Sequence, residues 1–201
     1  MEKFYHFVAI SGSLREGSYN SMLLTAAQKL PPINVVIEHL YIDKVPLYNF
    51  GLHEQHIPVE VEKLADIIKV ADAIIFVTAQ YNDPVSGVLG NFIDFVSLSP
   101  KKPFDKKPVG IISAGMAFRG VEGAQHHLPQ MMLAVNACTM NLHEGMIVQG
   151  DAKFDEAGNL TDEKTKTFIS KFVESLAAFS DGLKQGQLNV ETKYAHDYSA
   201  G

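Results

Sequence analysis

Short apolar runs alternate along the chain with longer segments in which apolar residues recur at helical spacing. Five runs are apolar on both faces, as the strands of a parallel sheet covered by helices are; they span residues 5–10, 35–40, 73–78, 109–113 and 142–148. Helical spacing marks the segments 20–30, 59–70, 86–98, 123–137 and 162–183, the last with an apolar stripe at Phe168, Phe172, Leu176 and Phe179. The pattern therefore predicts alternating strands and helices.

Five strands that alternate with helices predict an open, doubly wound sheet, because right-handed crossovers place helices on both faces. The expected fold class is α/β, a flavodoxin-like five-stranded parallel sheet of order 2-1-3-4-5. We expect a single domain over residues 1–184 and a flexible C-terminal tail over 185–201, which is polar and rich in small residues. Ligands of such folds bind at the carboxyl ends of the strands, near the switch between the first and third strands.

The loop after the first predicted strand is rich in small and hydroxylic residues and reads Ser11-Gly12-Ser13-Leu14-Arg15-Glu16-Gly17-Ser18-Tyr19-Asn20. It leads into a helix, where free backbone N–H groups and the helix dipole attract an anion, and the Arg15 guanidinium matches a phosphate. The same residues also suit an ordinary helix start with Ser18 or Asn20 as the N-cap. The loop is neither a Walker loop nor GxGxxG, which disfavours a nucleoside triphosphate or a dinucleotide bound in the Rossmann manner.

The loop after the third predicted strand combines an aromatic residue with two amides. Gln80, Tyr81 and Asn82 stand at the mouth of the crevice that the predicted fold forms. A flat polar heterocycle needs an apolar wall and in-plane hydrogen-bond partners, and this loop can supply both. Plain turn chemistry before a helix would use the same residue types.

Taken together, the two loops resemble those of the NAD(P)H-dependent FMN reductases, a family that includes bacterial chromate, quinone and azo dye reductases. The resemblance rests on GSLREGSYN at 12–20, on AQYND at 79–83 and on SGVLGNFIDF at 86–95. It continues through Pro46-Leu47-Tyr48-Asn49 and KPVGIISAG at 107–115, and it covers the chain from Phe4 to about Gly182. This chain has Ala79-Gln80 where the family commonly has Pro-Glu, so a rigid ring and a carboxylate are both absent.

The resemblance implies FMN as the cofactor, NAD(P)H as the co-substrate and a homodimer or homotetramer. The first loop would hold the FMN phosphate, the second would lie along the isoalloxazine, and the loop at 113–116 would close the pyrimidine side. The cofactor-binding residues that follow are Ser11, Ser13, Leu14, Arg15, Ser18, Asn20, Gln80, Tyr81, Asn82, Ser113 and Gly115. Hydride arrival at the flavin needs no general acid or base, so no catalytic side chain is expected.

Composition narrows the partners and the compartment. The formal net charge of −6 argues against nucleic acid or an anionic membrane as a partner, because both require clustered Lys and Arg. The single cysteine, Cys138, excludes an intrachain disulfide and suits a reducing compartment. With no signal-peptide pattern and no membrane-length apolar run, we expect a cytoplasmic protein. His53 and His56 lack the HExxH spacing, so no metal site is expected.

The sequence thus predicts an NAD(P)H-dependent, FMN-binding oxidoreductase whose acceptor is a quinone, an azo compound, a flavin or a metal oxyanion such as chromate. The alternative is a non-enzymatic FMN-binding protein, either an electron carrier or a redox-sensitive binding protein. A third hypothesis is a family member whose changed loop at Ala79-Gln80 has lost flavin. Arg15 favours the enzyme over the carrier, because flavodoxin-type carriers generally hold phosphate with neutral side chains.

Overall fold

The computed structural model describes residues 3–51, 57–78, 80–117, 121–141 and 145–198, with side chains described as far as residue 186. His53, His56 and Ala79, singled out in the sequence, lie outside the described residues. The elements in chain order are β1 (Tyr5–Ser11), α1 (Tyr19–Lys29), β2 (Val35–His39), α2 (Val59–Val70), β3 (Ala73–Val77), α3 (Gly87–Ser97), β4 (Pro108–Ala114), α4 (Glu122–Ala134), β5 (Cys138–Thr139), β6 (Met146–Ile147), a 3₁₀ helix (Gly150–Ala152) and α5 (Glu163–Tyr198).

The strands form a parallel sheet in the order β2-β1-β3-β4-β5, with β6 paired to β4 as well. The predicted α/β fold and strand order are therefore confirmed. Ser11 pairs with Val77, and Val77 pairs with Ile112, so β1, β3 and β4 end at the same edge of the sheet. This register brings the three loops that follow these strands to one place.

The predicted bounds of the fifth strand, 142–148, are wrong. The structure places β5 at Cys138–Thr139, beside the start of β4, and β6 at Met146–Ile147, beside its end. Two strands of two residues each therefore share one edge of β4. So short a strand has no periodicity that a sequence pattern could show, because its position depends on pairing with β4.

Helices cover both faces of the sheet, as predicted. On one face Leu23 of α1 and Phe172 of α5 are buried against Phe7 and other residues of the central strands. On the other face α2, α3 and α4 bury residues such as Ile68 and Phe92. Because both faces are covered, the central strands consist of buried residues almost throughout.

Helix α5 continues to Tyr198, beyond the predicted end at 183. It thus runs into the segment 185–201, whose flexibility stays a prediction. The extension is mostly polar, so no apolar stripe in the sequence indicated that the helix continues. None of the described helices is long and apolar enough to cross a membrane.

A buried lysine lies at the opposite end of the sheet from the loops described above. Lys107, at the start of β4, donates hydrogen bonds to the carbonyls of Lys69 and Ala71, at 3.1 and 2.5 Å, where α2 ends. Burial, followed by the charges of Lys69 and Lys184, lowers the pKa of Lys107 to about 8. The folded chain therefore disfavours the charged form of this side chain.

Candidate functional site

The loop after β1 gathers buried hydroxyl groups at the start of α1. Ser11, Ser13 and Ser18 are all buried. The Ser18 Oγ accepts the N–H of Ser21 at 3.1 Å, so Ser18 is the N-cap of α1, one of the two caps that the sequence left open. The loop thereby joins three hydroxyl groups to the positive end of an eleven-residue helix.

Gly12 allows this loop to press against the end of β3. Its N–H donates to the Val77 carbonyl at 2.8 Å. A Cβ at this position would lie 2.7 Å from the Cβ of Thr78, which is fully buried. Only a residue without a side chain fits here, so the contact between the two loops depends on glycine.

Ser86 adds a buried hydroxyl group that the sequence reasoning did not assign to the site. It precedes α3, is buried, and sits 3.1 Å from where a Gly12 Cβ would be. Among the described residues, its Oγ is the one buried side-chain polar atom without a hydrogen-bond partner. In the sequence, Ser86 stands directly before a helix, which predicts an ordinary N-cap. In the structure, however, its hydroxyl makes no cap hydrogen bond. A buried hydroxyl without a partner points to a ligand that supplies one.

The loop after β3 contacts both of its neighbours. The Tyr81 hydroxyl donates to the Ser13 Oγ at 3.1 Å, which joins this loop to the one after β1. The Gln80 Oε1 accepts the N–H of Gly123, in the first turn of α4, at 3.0 Å. Asn82 is exposed beside them, as is Tyr81. An exposed phenol ring and an exposed amide therefore stand at the mouth of the site.

The loop after β4 is fixed from inside the fold. The hydroxyl group of Ser113 is fully buried and accepts the Gln125 amide at 3.0 Å. The Gly115 N–H donates to the Ile147 carbonyl at 3.0 Å. Asn20, at the start of α1, is buried and accepts the N–H of Ala114 through its Oδ1 at 3.0 Å. Asn20 therefore ties the start of α1 to the end of β4, and Ser113 ties β4 to α4. The backbone of 114–116 forms the rim of the site.

Leu14 and Arg15 lie on the outer side of the loop after β1. Leu14 is 56% exposed, and both residues border a cleft of about 400 Å³ between this loop and the end of β2. The cation of Arg15 thus stands at the edge of the loop and accessible to solvent. The structure places the eleven predicted residues at the carboxyl edge of the sheet. Among them, the hydroxyl group of Ser113 is fully buried.

A family model described as NADPH-dependent FMN reductase matches residues 5–152, which is more than half of the chain. The chain belongs to this family. The matched residues include the loops after β1, β3 and β4, whose contacts are described above.

Relatives in the family cover nearly the whole chain. An NAD(P)H-dependent FMN reductase of Pseudomonas aeruginosa is 38% identical over 169 residues, covering 84% of this chain and 91% of the relative. A quinone reductase of Escherichia coli is 33% identical over 190 residues, covering 92% and 98%. A solved flavoenzyme, the NAD(P)H:(acceptor) oxidoreductase of Paracoccus denitrificans, superposes with a TM-score of 0.78 at 28% identity, covering 90% of this chain and 98% of that one.

These similarities confirm the predicted family, fold and class of activity. The protein is an NAD(P)H-dependent oxidoreductase of the FMN reductase and quinone reductase type, from a family that uses a flavin. The individual cofactor-binding residues stay predictions.

Proposed function

We propose that this protein binds FMN where the loops after β1, β3 and β4 meet, and that it uses NAD(P)H to reduce small oxidised acceptors, quinones first among them. One observation carries the proposal: Gly12 presses the loop after β1 against the end of β3, beside the buried hydroxyl of Ser86, which has no hydrogen-bond partner among the described residues. This close approach leaves a polar cradle that a phosphate would complete.

The cradle has the donors that a phosphate needs. The N-terminus of α1 supplies the positive end of its dipole, and the hydroxyls of Ser11, Ser13 and Ser18 lie next to it. Arg15 adds the only full positive charge of the loop. Asn20 supports the proposal indirectly, because it ties the start of α1 to the end of β4.

The flavin ring would lie against the loops after β3 and β4. We propose Tyr81 as an apolar wall, Asn82 and Gln80 as polar contacts, and the backbone around Gly115 as the far rim, with Ser113 acting from beneath. Gln80 also caps α4 through Gly123, which fixes the distance between the two loops. The family's usual carboxylate is therefore not needed to hold this loop.

FMN supplies, when bound, the two-electron chemistry that joins oxidation of NAD(P)H to reduction of the acceptor. The protein's own residues bind, orient and shield the cofactor, and we propose no catalytic side chain. The acceptor class rests on relatives: proteins named quinone reductase from Escherichia coli and NADPH:quinone oxidoreductase from Arabidopsis thaliana are 33% and 38% identical to this chain.

The first test is an absorbance spectrum of the protein purified in the dark, before and after NADPH is added without oxygen, followed by turnover with a small quinone. We expect flavin bands that bleach, and steady oxidation of NADPH. Bands that persist would indicate a carrier reduced by another protein. No bands, even after incubation with FMN, would show that the proposal is wrong.

A second test addresses the site. Ser86→Ala should weaken FMN binding by about tenfold, the value of one hydrogen bond to a charged group, with no loss of apoprotein stability, because the hydroxyl has no partner in the described chain. Ser180→Ala is the matched control. It removes a buried hydroxyl that binds the Asp72 carbonyl at 3.2 Å, so it should lower stability and leave FMN affinity unchanged. Equal FMN affinity in both variants would contradict the proposed cradle.

We also propose a homodimer or homotetramer. Asn91 of α3 holds the segment 46–48 in place: its amide accepts the Tyr48 N–H at 2.7 Å and donates to the Pro46 carbonyl at 2.9 Å. This segment presents Leu47, which is 81% exposed, with Phe50 close by in sequence at 62%. Exposed apolar side chains on a fixed segment support a subunit contact. Sedimentation should show an oligomer that Leu47→Glu weakens; a monomeric wild type at micromolar concentration would contradict this.

A further inference from the structure

The cleft of about 400 Å³ on the outer side of the loop after β1 extends beyond the cradle proposed above, toward β2. It lies where that loop faces the end of β2, and its volume is typical of a small-molecule pocket. It shares three residues with the proposed phosphate cradle, which are Ser11, Ser13 and Arg15. A ligand with a phosphate group near Arg15 could therefore extend from one site into the other.

Two adjacent aromatic rings line one side of the cleft. The rings of His39 and Tyr41 lie with centroids 4.0 Å apart and planes inclined by 33°. Tyr41 is 71% exposed, although it is a large aromatic residue. Burial lowers the pKa of His39 below its ordinary value, which favours the neutral ring. A neutral aromatic wall with an open face suits a purine base.

Charged groups stand at the borders of the same cleft. Arg15 supplies a cation, while Glu16 and Asp43 supply two carboxylates. A carboxylate beside a nucleotide site accepts hydrogen bonds from ribose hydroxyls, and it repels a phosphate on the 2′ position. With His39 neutral, the cleft carries more negative than positive charge.

We propose that this cleft binds the adenosine end of a dinucleotide whose other end reaches the flavin site, a proposal that rests on the FMN function proposed above. Tyr41 stacks on the adenine, Arg15 contacts the phosphates, and Asp43 binds the ribose. The excess of carboxylates favours NADH over NADPH. Two molecules carry this adenosine group, the substrate NAD(P)H and the cofactor FAD, and the experiments below distinguish them.

The direct probes are 5′-AMP and ADP-ribose, titrated into the FMN-loaded protein by calorimetry. Both should bind the wild type, and Tyr41→Ala should weaken each by about 3- to 10-fold, the usual range for one aromatic stack. Phe4→Ala is the matched control, because Phe4 is also 71% exposed and does not border the cleft. No binding to the wild type at millimolar concentration, or equal binding by Tyr41→Ala, would overturn the proposal.

Kinetics separate this cleft from the flavin site. Tyr41→Ala should raise the KM for NADH by about 3- to 10-fold. It should leave the KM for reduced nicotinamide mononucleotide, which lacks the adenosine half, unchanged. Asp43→Asn should shift kcat/KM toward NADPH, relative to NADH, by about tenfold. An equal change in KM for NADH and reduced nicotinamide mononucleotide in Tyr41→Ala would exclude NADH as the occupant of the cleft. Absence of turnover with either would contradict the proposed function and leave calorimetry to decide on the cleft.

Titration of the apoprotein with FMN and FAD identifies which molecule supplies the adenosine. If FAD binds more tightly than FMN and loses that advantage in Tyr41→Ala, the cleft serves the cofactor. If the two flavins bind alike while AMP competes with NADH, the cleft serves the substrate. AMP that binds but neither competes with NADH nor affects FAD binding would overturn the assignment to a dinucleotide.

Discussion

Replacing Gly12 by alanine tests the central contact of the site. The added Cβ would lie 2.7 Å from the Cβ of Thr78, whereas ordinary contacts between such atoms begin near 3.4 Å. Thr78 is fully buried and Gly12 is held by its hydrogen bond to Val77 at 2.8 Å, so neither atom can move freely. The loop after β1 must therefore retreat from β3 by about 1 Å to restore ordinary contact.

The cost follows from that displacement. Overpacking of this kind costs about 1–3 kcal/mol, and a weakened hydrogen bond to Val77 adds about 1 kcal/mol. We expect Gly12→Ala to lower the free energy of unfolding by about 2–3 kcal/mol. The same retreat opens the cradle between Gly12 and Ser86, so FMN should bind at least about 30-fold more weakly.

Urea unfolding of the apoprotein and fluorescence titration with FMN measure the two effects separately. Gly182→Ala in α5 is the matched control, because a Cβ there meets nothing within 4 Å. That substitution should raise stability by about 0.5–1 kcal/mol, as alanine does in a helix, and leave FMN affinity unchanged. If Gly12→Ala keeps both the stability and the FMN affinity of the wild type, the close contact between Gly12 and Thr78 is refuted. If it loses stability but keeps the FMN affinity, the phosphate binds elsewhere.

Three further predictions concern the residues that support the fold and the site. Because its folded pKa of about 8 lies below the ordinary lysine value, Lys107 makes the wild type more stable as the pH rises from 8 toward 10.5. Between pH 7 and 10, thermal unfolding should show that the free energy of unfolding of the wild type rises by about 2 kcal/mol more than that of Lys107→Met. Lys63→Met, at an exposed lysine of α2, should follow the wild type. Parallel pH dependence in all three proteins would contradict this. In urea unfolding, Gln80→Ala should lower the free energy of unfolding by about 1 kcal/mol, and it should also weaken FMN binding. Gln80→Glu should keep the wild-type values of both, because a carboxylate can also cap α4. If Gln80→Glu behaves like Gln80→Ala, the capping role is excluded. Gly150→Ala should lower stability by about 1–3 kcal/mol, because its Cβ would meet the Tyr19 ring at 2.7–2.9 Å, and Tyr19→Ala should suppress that loss in a double-mutant cycle.

Local patterns in the sequence were enough to predict the architecture. Buried parallel strands are apolar on both faces, and covering helices repeat their apolar residues every three to four positions, so β1 to β4 and α1 to α4 could be found within a few residues. The chemistry of the loop after β1 was also visible, since small and hydroxylic residues between a strand and a helix suit an anion. The motifs that indicated the family are also local, because each lies within one short stretch of the sequence.

The sequence prediction failed where position depends on pairing rather than on pattern. β5 has two residues, and its place beside Pro108 and Val109 is decided by the free edge of β4. The end of α5 was predicted too early for a different reason, because the residues beyond 183 are mostly polar. The predicted end relied on the apolar stripe, which reaches Phe179.

The sequence by itself determined the fold class, the family and the edge of the sheet where we propose that a ligand binds. Only the tertiary structure decided which atoms face that edge. Gly12 and Ser86 are far apart in sequence, as are Gln80 and Gly123, yet each pair is brought together by the register of β1, β3 and β4. The cleft beside Tyr41 likewise exists because β2 lies next to β1. Contacts of this kind have no local signal, since they depend on how separate segments pair and pack.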